Sequence, residues 1–316
     1  MSTNSGHRPT ILVTGATGKQ GGAVIDALLE AGAGESHIIL AVTRNSQSTS
    51  AKNLESRGVR VVEGDLNDVP AIFTAAKTAL KGLDEPIWGV FSVQTAIGKG
   101  ASAALEEAQG KALVDAALDN NVEHFVYSSV DRGGDSSYDN LVPEIEHFAS
   151  KYRIEHHLVE KAQGKMGWTI LRPVAFMENM TPGMGIKVAA TSWRLAVGNK
   201  RLQHVSVRDI GWFAAQAFLR PRDFLGRQIS LAGDELTLGE ANQIFKAKMG
   251  MEMPETFQFF VRFLHWLVPD FGSMYRWFFT HGFRADIAAL RKEHVGMRSF
   301  SDWLNEDSAW ADKRIR

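Results

Sequence analysis

Three glycines at three-residue spacing, Gly15, Gly18 and Gly21, punctuate the segment Gly15-Ala16-Thr17-Gly18-Lys19-Gln20-Gly21. They follow the short apolar run Thr10-Ile11-Leu12-Val13 and precede a helix-patterned stretch through Gln20 to Ala31. At a strand-to-helix turn, glycines permit a tight bend, close approach of backbone to a pyrophosphate, and close packing of helix on strand. The helix start then turns N–H groups and the positive end of its dipole toward the phosphates. The spacing is one residue longer than the common dinucleotide fingerprint, but its setting reads as a nucleotide loop.

Which nucleotide follows from the end of the second apolar run. Dinucleotide sites for NAD place Asp or Glu there, on the ribose hydroxyls. Here the residues are Val42-Thr43-Arg44-Asn45-Ser46. The Arg44 guanidinium is suited to fork onto a 2′-phosphate, so NADP(H) is expected over NAD(H); the plainer reading of Arg44 is a solvated surface charge.

The elements that position these residues alternate from Pro9 to about Pro173. Apolar runs occur at 37–42, 58–62, 87–91, 123–127 and 168–171, with helix-patterned stretches between them. Short β-branched runs without polar alternation suit strands buried on both faces, and helical crossovers between them make the sheet parallel. The expected fold class is therefore α/β, a Rossmann-type doubly wound parallel sheet with a smaller, mainly helical C-terminal substrate lobe. Residues 1–8 read as a disordered lead-in, 9–175 as the NADP(H)-binding domain and 176–316 as the smaller lobe, interleaved with the first. Within that lobe a helix is expected over Asp209 to Leu219, a strand at Gln228 to Leu231, and mostly helix from Thr237 onward.

Composition narrows the chemistry. The 316 residues are 44% hydrophobic with a formal net charge of -1, which gives no general pull toward nucleic acid or an anionic surface. There is no cysteine, so disulfides and thiolate nucleophiles are excluded. The aromatic stretch Phe257 to Phe279 is broken by Arg262, His265, Pro269, Asp270 and Arg276 and does not suit a membrane span. A helical flap over a pocket or a subunit contact suits it better, with a peripheral membrane contact the third option.

The motifs taken together resemble the NmrA-like branch of the atypical short-chain dehydrogenase/reductase superfamily. The resemblance runs through Gly15 to Gly22, Thr43-Arg44-Asn45, Gly64 to Asp68, Phe91 to Gln94, Gln109-Gly110-Lys111, His124 to Ser129, Leu171-Arg172-Pro173, Phe176 to Asn179 and the tail Gly282 to Leu304. It implies that Thr17, Gly18, Lys19 and Gln20 contact the phosphates, and that Arg44 meets the 2′-phosphate. It places Asp65 and Leu66 by the adenine, Ser92, Val93 and Gln94 at the nicotinamide ribose, and Phe176 and Asn179 at the nicotinamide end. The side chain of Asp65 has an equal claim to be an ordinary turn residue.

Active short-chain reductases carry Tyr-x-x-x-Lys on a helix after the fifth strand, with both side chains on one face. The matching pair here is His147 and Lys151. Lys151 is the expected cofactor-binding cation, and His147 is either a proton donor or a hydrogen-bonded packing residue. Tyr152 lies about 100° around the helix and is a poor substitute, whereas Tyr138 sits in a loop, Asp131 to Asn140, expected to be mobile. Ser128 or Ser129 stands where a hydroxyl would meet substrate or cofactor, or simply cap a strand end. No metal site is expected from His147, His156 and His157. His204 to Asp209 resembles a family segment that locks the smaller lobe, with Arg208 and Asp209 structural.

Two functions follow from the resemblance. One is an NADPH-dependent reductase of a small apolar carbonyl or conjugated alkene. The other is a non-catalytic NADP(H) sensor that binds a regulatory protein partner, with Ser46 to Ser50 and Asp131 to Asn140 as moving loops. Neither implies direct nucleic-acid binding. A cytoplasmic or nuclear location is expected, and a homodimer is the superfamily expectation.

Overall fold

Apolar β-branched runs that alternate with helices have one stable arrangement, strands inside and helices outside. The computed structural model of the chain, which describes residues 8–83, 85–98 and 100–311, has this form. The expected lead-in lies outside the described residues except for Arg8, whose N–H donates to Glu85 Oε1 at 2.7 Å.

The order begins β1 (Thr10–Val13), α1 (Lys19–Glu30), α2 (Ala33–Ser36), β2 (Ile38–Thr43), α3 (Thr49–Ser56), β3 (Arg60–Glu63). It continues α4 (Val69–Ala79), β4 (Ile87–Ser92), α5 (Ala103–Asp119), β5 (His124–Ser128), α6 (Glu146–Ala162), β6 (Gly167–Pro173). Then come β7 (Ala175–Phe176), α7 (Met184–Ser192), β8 (Leu202–Val205), α8 (Val207–Leu219), α9 (Pro221–Phe224), β9 (Gln228–Leu231) and β10 (Asp234–Leu236). The helices α10 (Leu238–Met249), α11 (Gln258–Leu267), α12 (Pro269–Thr280), α13 (Ile287–Glu293) and α14 (Phe300–Glu306) complete it.

One sheet runs β3-β2-β1-β4-β5-β6-β9, and each pairing from β3 through β6 is parallel. Strand order reverses direction at β1, the topological switch point beside which doubly wound sheets bind ligands. A second, three-stranded sheet runs β10-β8-β7.

The chain divides into two compact units. The first holds the described residues up to Ser129 with Arg153–Leu171 and Ile210–Gln228; the second holds Val130–Tyr152, Arg172–Asp209 and the chain from Ile229 on. In the first unit every residue of β1 and β2 is buried, as strands covered on both faces must be. Leu12, Leu40, Val90, Phe125 and Ile170 meet Ile72 and Phe73 of α4, Leu113 of α5 and Ile154 of α6 in one core. Two glycines allow unusually close packing: a Cβ on Gly110 would lie 2.5 Å from Ile154 Cδ1, and one on Gly89 would lie 2.9 Å from Phe218 of α8.

The second unit is organised around buried acids. Asp131 accepts N–H groups from Gly133 (3.2 Å), Gly134 (2.8 Å) and Arg284 (3.0 Å), and hydroxyls from Ser137 (3.2 Å) and Ser230 (2.5 Å). The loop expected to be mobile is therefore pinned, and a 3₁₀ turn at Gly134–Tyr138 follows the pin. Glu178 accepts from the Val207 N–H at 3.0 Å, Ser206 Oγ at 3.2 Å and Trp303 Nε1 at 3.1 Å, holding α14 to β7 and the start of α8. Burial pushes the Glu178 carboxyl upward, against these hydrogen bonds. Asp209 receives the Arg298 N–H at 3.1 Å, and Arg208 pairs with Asp307 at 3.2 Å, so both residues tie down the tail.

Candidate functional site

Gly18 stands at the N-cap of helix α1, and among the described residues no side chain caps it. Its first N–H groups have no carbonyl within the helix to bond, which is the local basis of an anion site. Gly15 has φ +61°, in the left-handed region, and a Cβ there would lie 2.9 Å from Val93 Cγ1. A Cβ on Gly18 would lie 3.2 Å from the Gly15 carbonyl oxygen. One on Gly21 would overlap that oxygen and lie 2.6 Å from the Thr14 carbonyl oxygen. Gly15 and Gly21 are thus required by geometry, the first for its backbone and the second for its contact, while a Cβ on Gly18 would make only a tight contact. Thr17, Gly18 and Lys19 are exposed around this cradle, and Gln20 is half-buried.

The loop is fixed to the end of β4. The Thr14 hydroxyl donates to the Phe91 carbonyl at 3.0 Å and accepts the Val93 N–H at 3.0 Å. Beside it, Gln94 Nε2 donates to Ser92 Oγ at 2.9 Å, both residues being buried. Gln94 Oε1 is buried too, and among the described residues it has no hydrogen-bond partner. A buried acceptor left unpaired costs about 1–3 kcal/mol, so a donor supplied by a ligand would be a gain. Ser128 Oγ donates to Gln20 Oε1 at 2.6 Å, linking β5 to the loop. The Ser129 hydroxyl donates to the buried Glu155 carboxylate.

The residues expected beside the adenosine follow β2 and β3. Arg44 is exposed just beyond β2. The neighbouring Ser46 gives its N–H (3.2 Å) and its hydroxyl to Glu63, and these bonds hold the Glu63 carboxyl below its ordinary range. Ser48 caps α3, so the Ser46 to Ser50 loop is hydrogen-bonded at both ends. Asp65 accepts the Asn67 N–H at 2.9 Å, the bond of an Asx turn, and Leu66 packs half-buried on the core.

His147 and Lys151 lie on α6, within the second unit. His147 is buried, and its Nδ1 is bonded to the Asp270 carboxylate at the start of α12. Asp270 also takes the Glu146 N–H at 2.6 Å, so it caps the start of α6. Burial raises the Asp270 carboxyl, but the hydrogen bond and charge of His147, with the backbone N–H groups of Glu146 and His147, leave it below the ordinary range. The ring of Phe148 lies edge-on to His147 at 4.8 Å, and Trp277 of α12 lies edge-on to Phe148 at 5.3 Å. Lys151 is half-buried, and the ring of Tyr152 faces the Arg132 guanidinium at 5.6 Å. Phe176 ends β7 half-buried, and Asn179 is exposed on the turn after it. His157 pairs with Asp115 at 2.7 Å in the first unit.

The partner missing from the sequence reading is Asp270, which figured there only as a break in an apolar stretch. The signal was present: Pro at the first position of a helix followed by an acid marks an N-terminus. Its distance from His147 in sequence, 123 residues, hid the pairing.

The sheet order, the switch point and the glycine cradle define a Rossmann-type α/β protein. The chain belongs to the NmrA-like family, whose profile matches residues 7–287. It is 27% identical over 241 residues to the NmrA-like family domain-containing oxidoreductase FrzB of Cladobotryum sp, covering 69% of this chain and 67% of that protein. Oxidoreductase relatives from Aspergillus are matched over only 35% to 43% of their own length. Among solved structures, the Citrobacter sp. triphenylmethane reductase complexed with NADP(H) is similar at TM-score 0.68 and 18% identity, covering 94% of this chain and 99% of that one. NmrA, a negative transcriptional regulator, in complex with NADP is similar at TM-score 0.65 and 19% identity, covering 95% of each. At these identities the two structures establish the fold.

Proposed function

We propose that the chain is an NADPH-dependent reductase of small apolar carbonyl or conjugated-alkene compounds. The observation that carries this reading is the pairing of buried His147 with half-buried Asp270, one helical turn before Lys151 on α6. In this reading Gly15, Thr17, Gly18, Lys19, Gln20 and Gly21 cradle the phosphates, and Arg44 takes the 2′-phosphate. Asp65 and Leu66 border the adenine, and Ser92, Val93 and Gln94 the nicotinamide ribose, to which the unpaired Gln94 Oε1 offers an acceptor. Phe176 and Asn179 border the nicotinamide. The cradle that any Cβ on Gly21 would fill, and the orphaned amide oxygen, both fit such a group.

NADPH, when bound, supplies a hydride to the electrophilic carbon of the substrate. The chain's part is to place and protonate. Asp270 fixes the imidazole of His147 through Nδ1, which leaves Nε2 to give a proton to the developing oxyanion and regain it from water. Lys151 binds the ribose hydroxyls. Ser129, its hydroxyl committed to Glu155, acts by holding the end of β5.

A second reading, an NADP(H)-sensing regulator that binds a protein partner, is favoured by one detail: Asp270 also caps α6. His147 then belongs to a helix cap and moves no proton. NADPH oxidation against a panel of quinones, enones and aromatic ketones separates the two. Turnover that Lys151→Ala abolishes supports the reductase. NADPH binding without turnover across the panel overturns it.

A further inference from the structure

Helix α11 is apolar on the side that faces solvent. At about 100° per residue, Trp266, Phe259, Phe263, Leu267 and Phe260 fall within an arc of about 120°. All five are exposed, Phe259 at 73% and Trp266 at 72%. The opposite side packs inward: Val261 is fully buried, and His265 bonds Ser192 at 3.0 Å and stacks on Tyr275 at 5.5 Å. Phe257, also exposed, stacks on Phe259 at 5.6 Å, and Phe263 meets Trp266 at 5.7 Å, so the exposed rings form a continuous patch. An exposed aromatic patch of this extent is ordinarily covered.

Charge decides what covers it. The helix contains no Asp or Glu, and Arg262 stands at the edge of the aromatic arc. Among the described residues Arg262 has no carboxylate partner. An antiparallel two-fold pairing of α11 with its copy would bring the two mid-helix Arg262 side chains to the same side with no acid on the helix to offset them. An anionic surface meets both features at once. At ten residues α11 is about 15 Å long, and among the described residues no helix is long and apolar enough to cross a membrane. A helix of this make-up lies in the plane of a lipid interface, aromatic residues in the acyl boundary and arginine among headgroups.

We propose that α11 docks the protein on an anionic lipid surface, with Phe259, Phe263 and Trp266 inserted and Arg262 at headgroup level. The full chain should float with phosphatidylcholine–phosphatidylserine vesicles and about tenfold less with phosphatidylcholine alone. The double variant Phe259→Ser/Trp266→Ser should lose about tenfold or more in partition at unchanged circular dichroism, since both side chains are exposed. Arg262→Glu, which leaves every ring in place, should lose about fivefold or more on the anionic vesicles alone. No flotation of the wild-type chain, or flotation unchanged in the double variant, overturns the proposal. So does self-association abolished by the double variant in a chain that ignores both vesicles, because a second copy is then the occupant.

Discussion

His124 opens β5 with a buried imidazole whose charged form the fold does not accommodate. Its Nε2 lies 3.0 Å from Thr169 Oγ1, and that hydroxyl donates to the Phe224 carbonyl at 2.8 Å. With its one proton committed, the hydroxyl accepts from Nε2–H, so Nε2 carries a proton, and burial disfavours a second proton on the ring. The rings of Trp88 and Phe218 each lie 6.1 Å from it. Burial pushes its pKa from 6.5 down to about 4. The folded value is the lower one, so between these pH values the unfolded chain binds more protons and stability falls as pH falls. From pH 7 to pH 5 the linkage amounts to about 2 kcal/mol for this one residue. His124→Gln keeps an N–H donor for Thr169 and removes the titration. Urea unfolding followed by tryptophan fluorescence at the two pH values should show the wild-type chain losing about 2 kcal/mol more than the variant. Equal losses in the two proteins would refute the assignment of a buried neutral His124. His204, buried in the second unit and also lowered to about 4 by burial, adds its own loss in the same direction to both proteins.

Three further outcomes test the site. Gly21→Ala sets a Cβ against the Gly15 and Thr14 carbonyls, backbone that can move only by opening the loop, so NADPH affinity should fall by about 100-fold or more; an unchanged Kd by fluorescence titration removes the cradle from the argument. Arg44→Ser should weaken NADPH about tenfold or more and leave NADH unchanged, since only the former carries the 2′-phosphate; equal effects on both would make Arg44 a surface charge. Asp270→Asn replaces an acceptor by a group that can donate to Nδ1, so kcat should fall by about 100-fold and the pH profile should move, with NADPH affinity kept. A loss of α6 helicity in that variant, with turnover intact, would assign Asp270 to capping alone.

The first unit was legible because its determinants are local. Alternating runs of Ile, Val and Leu at β1 and β2, and glycines at a strand-to-helix turn, act over ten to twenty residues, and their physical reasons reappear in the structure as full burial and as forbidden Cβ positions. The strand at Gln228–Leu231 and the helix ending at Leu219 were readable on the same grounds. What escaped were contacts between residues far apart in the chain. The segment Asp131 to Asn140 has the composition of a mobile loop, and nothing within it reveals that Ser230 and the Arg284 N–H will close on Asp131. His147 was ambiguous for the same reason, its decisive neighbour lying on another helix. Residues 130–152 also belong with the second unit, although their position among the strands suggested the first.

Substituting histidine for tyrosine changes what a proton donor needs from its surroundings. A phenol titrates near 10 and must be brought down, which a neighbouring cation does by stabilising the phenolate. An imidazole titrates near 6.5 without help and becomes positive when loaded, so the useful neighbour is an anion that fixes its tautomer and steadies its charge. The sign of the required partner is reversed. At His147 the neighbour is a carboxylate, supplied by a residue, Asp270, that already has a capping task. Lys151, one turn along the same helix, is then released from tuning a phenol, and its remaining role in the proposed reaction is to bind ribose. If His147 were a packing residue alone, an apolar side chain would serve that buried position without an imidazole to desolvate beside a half-buried carboxylate. The pair is therefore the feature that weighs toward chemistry, and the Asp270→Asn pH profile is where the two accounts part.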